Sequence, residues 1–171
     1  MKPRVIGDRV GIFCLAVMVA CGPSVTRANA GGSSADKGEK QVTMRDLPGA
    51  VRAAAEKAIT GGTLKTIVAE HEDGKNVYSV EAIMAGRTKE FTFASDGTLL
   101  AEEEDLALEQ LPDAVRSAAV KYFGDGRGLH ASVGIAKGVT SYEVEGRKGG
   151  ERVSAKFSAA GALLEEEEDE D

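Results

Sequence analysis

Leu47-Pro48-Gly49-Ala50-Val51-Arg52-Ala53-Ala54-Ala55-Glu56-Lys57 returns downstream as Leu111-Pro112-Asp113-Ala114-Val115-Arg116-Ser117-Ala118-Ala119-Val120-Lys121. Laid over one another without a gap, residues 47–105 and 111–169 agree at more than a third of their positions. Tyr78 and Val80 fall on Tyr142 and Val144, and Phe93 falls on Phe157. Gly97, Leu99 and Leu100 fall on Gly161, Leu163 and Leu164. Both segments close in acid, Glu102-Glu103-Glu104-Asp105 and Glu166-Glu167-Glu168-Asp169. Agreement of this extent identifies a duplicated unit.

Each copy opens with a helix. Pro48 and Pro112 suit a first helical position, where the missing N–H removes no bond. Leu47, Val51, Ala54, Ala55 and Ala58 make one apolar stripe at helical spacing, and Leu111, Val115, Ala118, Ala119 and Tyr122 make its counterpart. Strands follow. Leu129, Ala131, Val133 and Ile135 alternate with polar or small residues, the pattern of a half-buried strand, whereas the segment from Leu64 to Glu70 alternates less cleanly. Val77–Ile83 and Ser141–Lys148 place Tyr78, Val80, Tyr142 and Val144 inward. Lys89, Phe91 and Phe93 align with Val153, Ala155 and Phe157, and Asp96-Gly97 turns the chain into Leu99-Leu100. The expected class is α+β: two tandem helix-plus-four-stranded antiparallel repeats, with the helices packed on one face of a shared curved sheet and the other face wet. The first unit spans 44–105, and the second spans 106–171 with an acidic tail.

Ahead of these units lies an export signal. Lys2, Arg4 and Arg9 precede an apolar stretch from Ile12 to Ala20, and small residues follow. The stretch is about half of the ~20 residues that a spanning helix needs. Two processing sites are open. Ala28-Asn29-Ala30 fits ordinary signal cleavage after Ala30. Met18-Val19-Ala20-Cys21 resembles a lipoprotein box, with Cys21 as the lipidated residue and any membrane attachment running through it. Residues 31–43 read as a flexible linker in either case. The expected location is therefore the cell envelope or periplasm. Cys14 and Cys21 are the only cysteines, so the folded part is built without disulfides.

Loss of residues 1–30 takes away Lys2, Arg4, Arg9 and Arg27 against one acid, Asp8. It leaves 17 basic and 27 acidic residues, a net charge of −10. Such a surface repels phosphate backbones, which excludes nucleic acid as the expected partner, and it favours cations. No nucleophile motif, phosphate-binding loop or dinucleotide fingerprint occurs, so the expectation is a non-enzyme without a catalytic or cofactor-binding residue and without a cofactor. Gly124-Asp125-Gly126-Arg127-Gly128 follows a helix rather than a strand and reads as a turn. His71 and His130 occupy non-equivalent places without ligand-spaced partners, and read as exposed strand or turn residues rather than as metal ligands. The seven carboxylates from Glu165 to Asp171, and the four from Glu102 to Asp105, read chiefly as solvated acid, with weak Ca²⁺ binding as the alternative.

The Leu-Pro-x-Ala-Val helix start, the aromatic strand at Tyr78 and Tyr142, and the Phe-x-x-x-Gly-x-Leu-Leu-x-Glu ending resemble the PepSY-like family related to β-lactamase-inhibitor proteins. That ending is Phe93 to Glu102 in one copy and Phe157 to Glu166 in the other. The resemblance implies a secreted or envelope-located binding module that presents one sheet face to a protein. The matched positions are structural, and the chain lacks the disulfides of the inhibitors. The expectation is thus an exported, non-catalytic module binding an envelope or secreted protein through its exposed sheet face. An acidic envelope sensor or weak divalent-cation binder is the alternative.

Overall fold

Helix α1 (Gly49–Ala58) and helix α2 (Asp113–Phe123) begin one residue after the Leu-Pro pairs. Pro48 and Pro112 have extended ψ angles of 144° and 143°, so each caps its helix instead of occupying its first position. Their carbonyls accept the Arg52 and Arg116 amides at 2.9 Å, closing the first turn. Gly124, at φ +102°, ends α2 and donates its amide to the Val120 carbonyl at 2.8 Å.

The computed structural model describes residues 39–72, 74–124 and 126–168, within one compact unit, Asp36–Asp171. Its strands are β1 (Lys40–Gln41), β2 (Thr63–Glu72), β3 (Lys75–Met84), β4 (Arg87–Ala94), β5 (Leu99–Leu106), β6 (His130–Ala136), β7 (Val139–Lys148), β8 (Glu151–Ser158) and β9 (Leu163–Glu168). They lie side by side in chain order, every neighbour antiparallel. The signal region, Cys21, Ala28 and Ala30, most of the expected linker, Asp125 and Asp169 to Asp171 lie outside the described residues.

The expectation of two helix-plus-four-strand units is corrected by this topology: the strands form one nine-stranded sheet. Strand β5 pairs directly with β6 from Ala101↔Ala136 to Leu106↔Ala131, so the ladder runs without an edge between the halves. The ninth strand, β1, precedes α1 and pairs with Val68 and Ala69 of β2, within the stretch expected as linker. The acidic runs are strand rather than tail, and only the first is withdrawn from solvent, since Glu166 to Glu168 of β9 stay exposed. Glu102 to Asp105 lie inside β5, and Glu165 to Glu168 lie inside β9. Flanking strands supply the backbone partners that overcome the poor strand propensity of Glu and Asp.

Both helices cover the same sheet face. Val51 and Ala55 of α1 pack with Leu47 on Ile67, Val80, Phe91 and Phe93. Val115 and Ala119 of α2 pack with Leu111 on Ala131, Val144, Ala155 and Phe157. Cross-strand partners share a face, and the face of Phe91 continues through Glu102 and Ile135 to the face of Ala131 and Val144. Burial of side chains such as Val51, Val144 and Phe157 stabilises by about 1.5–3 kcal/mol each. Ile135, expected to point inward as part of its alternating strand, is 48% exposed although it lies on this covered side. It falls outside both helix-packed clusters.

Candidate functional site

The second face of the sheet carries the candidate site; among the described residues no helix packs on it. Alternation along β5 divides its acidic run between the two faces. Glu102 and Glu104 turn to the helix side, where Lys89 Nζ lies 3.0 Å and 2.8 Å from their carboxylates and Arg87 adds a 2.7 Å contact to Glu104. The hydrogen bond from Lys89 holds the Glu104 carboxyl below its usual range. Glu103 and Asp105 turn the other way.

On that open face Glu103 stands directly opposite Glu90 of β4, and Glu90 stands directly opposite Glu81 of β3. Three adjacent strands thus present three carboxyl groups in one row, with neighbouring Cβ atoms about 5 Å apart. Like charges so placed oppose sheet formation. Glu81 is paired with Lys65. Farther along, Glu143 of β7 accepts the Ser154 hydroxyl at 2.6 Å, and Lys156 beside it is bonded to Glu165 at 2.9 Å.

Glu90 and Glu103 are half-buried. Burial raises the Glu90 carboxyl to about 7, and Glu81, Glu70 and Glu143 add to the rise against a hydrogen bond with Ser79. Burial likewise raises Glu103 to about 8, with Glu143, Glu90 and Asp105 adding and a hydrogen bond with Ser132 opposing. Two carboxyls this close titrate as one coupled pair. Glu143 is also raised, chiefly by burial. Beside these side chains Ser132 and Ser141 are buried, at 7% and 8% exposure, and Val68 and Ala101 are buried on the same face. The face is therefore less wet than the alternation predicts.

The sequence-predicted candidates do not converge. His71 is exposed and faces Asn76 across the β2–β3 hairpin, with 2.7 Å from Nδ1 to the amide oxygen. His130 is exposed at the start of β6, opposite Glu145. Among the described residues, no group of His, Cys, Asp and Glu has a metal-holding arrangement. The division of the Glu102–Asp105 run between two faces explains this for β5. The sequence reading missed Glu81, Glu90 and Glu143. The available signal was the duplication itself, because Glu90 falls on Ser154 and Thr92 falls on Lys156. The first copy carries an acid where the second carries a neutral residue beside a lysine.

No protein-family model matches the chain, and no curated protein sequence matches it. Solved structures do resemble it. A BLIP-like (β-lactamase-inhibitor-protein-like) protein from Bacteroides fragilis matches at 24% identity and a TM-score of 0.55, covering 71% of this chain and 86% of its own. A DUF2874 family protein from Bacteroides uniformis matches at 17% identity and 0.58, covering 71% and 89%. A Bacteroides eggerthii protein, provisionally described as periplasmic, matches at 16% identity and 0.58, covering 71% and 88%. The likeness extends to the inhibitor-like side of the resemblance and lends nothing to its PepSY-like side. At these identities it establishes architecture alone: this chain shares the fold of a BLIP-like protein and of DUF2874 family proteins.

Proposed function

We propose that this chain is an exported, non-catalytic binding module of the cell envelope or periplasm, and that it receives a protein partner on its open sheet face. One observation carries the reading. The face left free by both helices is built rather than merely solvated, with buried serines and half-buried carboxyls spanning strands β3 to β7. Acid gathered on one face offers a basic partner complementary charge, which favours recognition and register. The fold shared with a BLIP-like protein, the periplasmic description of another structural neighbour, and the signal-like N-terminus all favour the same reading.

A photo-crosslinking residue placed at Ser79 or at the exposed Val139 on the open face, or at Lys121 on α2, tests this in the exporting cell. The two open-face positions should crosslink to the same protein while position 121 does not. Crosslinks from position 121 alone, or equally from all three, would refute the assignment of the face.

A further inference from the structure

The turn that joins β8 to β9 is apolar throughout. Ala159-Ala160-Gly161-Ala162-Leu163-Leu164 carries no side-chain donor or acceptor. Its alanines are exposed, and Leu163 and Leu164 are 46% and 55% exposed. Turns ordinarily take Gly, Asn, Asp or Ser, and an apolar run left in water marks a contact. The first copy shows that the turn geometry does not need it. There the same turn reads Ser95-Asp96-Gly97-Thr98 before Leu99-Leu100. The Ala94 and Ser158 amides donate to the Thr98 and Ala162 carbonyls, each at 2.9 Å. The Gly97 and Gly161 amides donate back to the Ala94 and Ser158 carbonyls at 2.9 Å and 2.8 Å. Three polar side chains in one copy thus stand as three alanines in the other, on the same backbone.

The place of this tip in the sheet indicates what it meets. With the strands antiparallel in chain order, the β2–β3, β4–β5, β6–β7 and β8–β9 turns lie at one end. Strand β1 pairs Lys40 with Ala69 and Gln41 with Val68, so the chain enters β1 from that same end. Cys21, the candidate lipidation residue, lies outside the described residues and 18 positions before Glu39, a reach of up to about 60 Å. Nine strands span about 38 Å at ~4.8 Å spacing, so a tether of that length lets the tip at β9 meet the surface that holds Cys21. The acids lead the other way. Glu102 to Asp105 and Glu165 to Glu168 follow their leucines toward the opposite end.

We propose that the β8–β9 tip, residues 159–164, seats in a zwitterionic lipid surface at the boundary of headgroups and acyl chains, and holds the sheet end-on to the membrane. A tip without a polar side chain gives a protein partner only shape to recognise, whereas lipid asks for apolar surface and a satisfied backbone. The bonds within the turn supply much of the second requirement, and the Ala162 amide also donates to Ser158 Oγ at 3.2 Å. This lowers the cost of taking the turn out of water. Insertion stops at the interface, because Glu165 and Glu166 follow directly, held by Lys156 and Lys148. Stable attachment takes two weak contacts, and the tip adds one to any acyl chains carried by Cys21. An end-on pose keeps the open face clear of the bilayer, although the proposal does not rest on that face being a binding surface.

The chain contains no tryptophan, so a single introduced one reports alone. Leu164→Trp places it on the tip. Val120→Trp places it late in α2, which starts beside Gly161 at Ala114 and runs toward the other end, at a site 41% exposed. The exported protein carrying either residue is mixed with phosphatidylcholine vesicles, with and without bromine on the acyl chains. Emission from position 164 should shift to the blue and lose most of its intensity to brominated lipid, and emission from position 120 should do neither. Ala159→Ser, Ala160→Asp and Ala162→Thr together give the second copy the turn of the first, which this fold already accepts. They should remove most of the quenching at position 164 while leaving the urea midpoint near that of Leu164→Trp alone. Absence of quenching at 164, equal quenching at both positions, or full quenching with the transplanted turn would overturn the proposal. So would a blue shift that grows with protein concentration before lipid is added, which assigns the tip to a second copy. If quenching fails while open-face crosslinks persist, this inference falls and the binding-module reading stands. Crosslinks from α2 alone remove that reading and leave the lipid contact untouched.

Discussion

Gly86 and Gly97 hold the same backbone angle, φ +84°, in neighbouring hairpin turns. Their surroundings differ. Nothing lies within 4 Å of the place a Cβ would occupy at Gly86. At Gly97 that place is 2.7 Å from the Ala50 carbonyl oxygen and 2.9 Å from its carbonyl carbon, in the first turn of α1. Alanine at either position meets the left-handed backbone penalty of about 1–2 kcal/mol, reduced by the lower entropy of the unfolded chain. Gly86→Ala should thus lower stability by about 1 kcal/mol. Gly97→Ala adds a collision with backbone that no rotamer relieves, for which overpacking costs about 1–3 kcal/mol more. The expected total is about 2–4 kcal/mol. Urea unfolding followed by circular dichroism measures both, provided the denaturant slope is unchanged. The paired glycines Gly138 (φ +76°, open space) and Gly161 (φ +79°, 2.5 Å from the Ala114 carbonyl oxygen) should repeat the contrast at α2. Costs for Gly97→Ala and Gly86→Ala agreeing within about 0.5 kcal/mol would show that the turn does not bear on the helix, and would refute the reasoning.

Stability should fall as pH rises. Glu90 and Glu103 titrate higher in the folded chain than their ordinary 4.5, at about 7 and about 8, so the folded state binds more protons across that window. Urea midpoints should decline from pH 5 to pH 9, by roughly 2–3 kcal/mol from Glu90 alone, and Glu90→Ser should flatten the slope; a flat wild-type profile counts against the half-buried pair. Phe157→Ala, at a ring 2% exposed beneath α2, should cost about 3–5 kcal/mol in the same assay. Lys89→Met strands Glu102 beside Glu104 and should cost about 1–2 kcal/mol, with a smaller loss in a Glu102→Gln background; equal losses in the two backgrounds would dismiss the pairing.

Both helices were legible from Leu47-Pro48 and Leu111-Pro112, because a proline at the entry and an apolar stripe at helical spacing agree, although each proline stands one place ahead of the position expected for it. Tyr78, Val80, Phe93 and their counterparts were legible as covered-face residues for the same reason. The one-sheet topology was not. Lys40–Gln41 has no apolar pattern at all, and its strand exists only because Val68 and Ala69 offer an edge. Strands β5 and β9 were misread beyond Leu100 and Leu164, since runs of carboxylates look like solvated chain until their pairing strands are known. The acidic row was hidden by register. Glu81, Glu90 and Glu103 are scattered in sequence, and only the pairing of three strands makes them neighbours. Ile135 failed in the opposite sense: alternation names the face of a residue, but not whether a helix reaches over it.

The sheet is laid down in the order in which it is written, each strand beside its chain neighbour, so no pairing waits for a distant segment to arrive. Loop closure is correspondingly cheap outside the two helical connections, and hairpins such as β3–β4 and β7–β8 are natural nuclei from which a ladder zips outward in both directions. Growth by accretion leaves a short rim at each stage for the next strand to cover. The last of these rims, β9, alternates glutamate toward both sides, two of them held by Lys148 and Lys156, and an incoming foreign strand meets this charged border before it meets an unpaired amide.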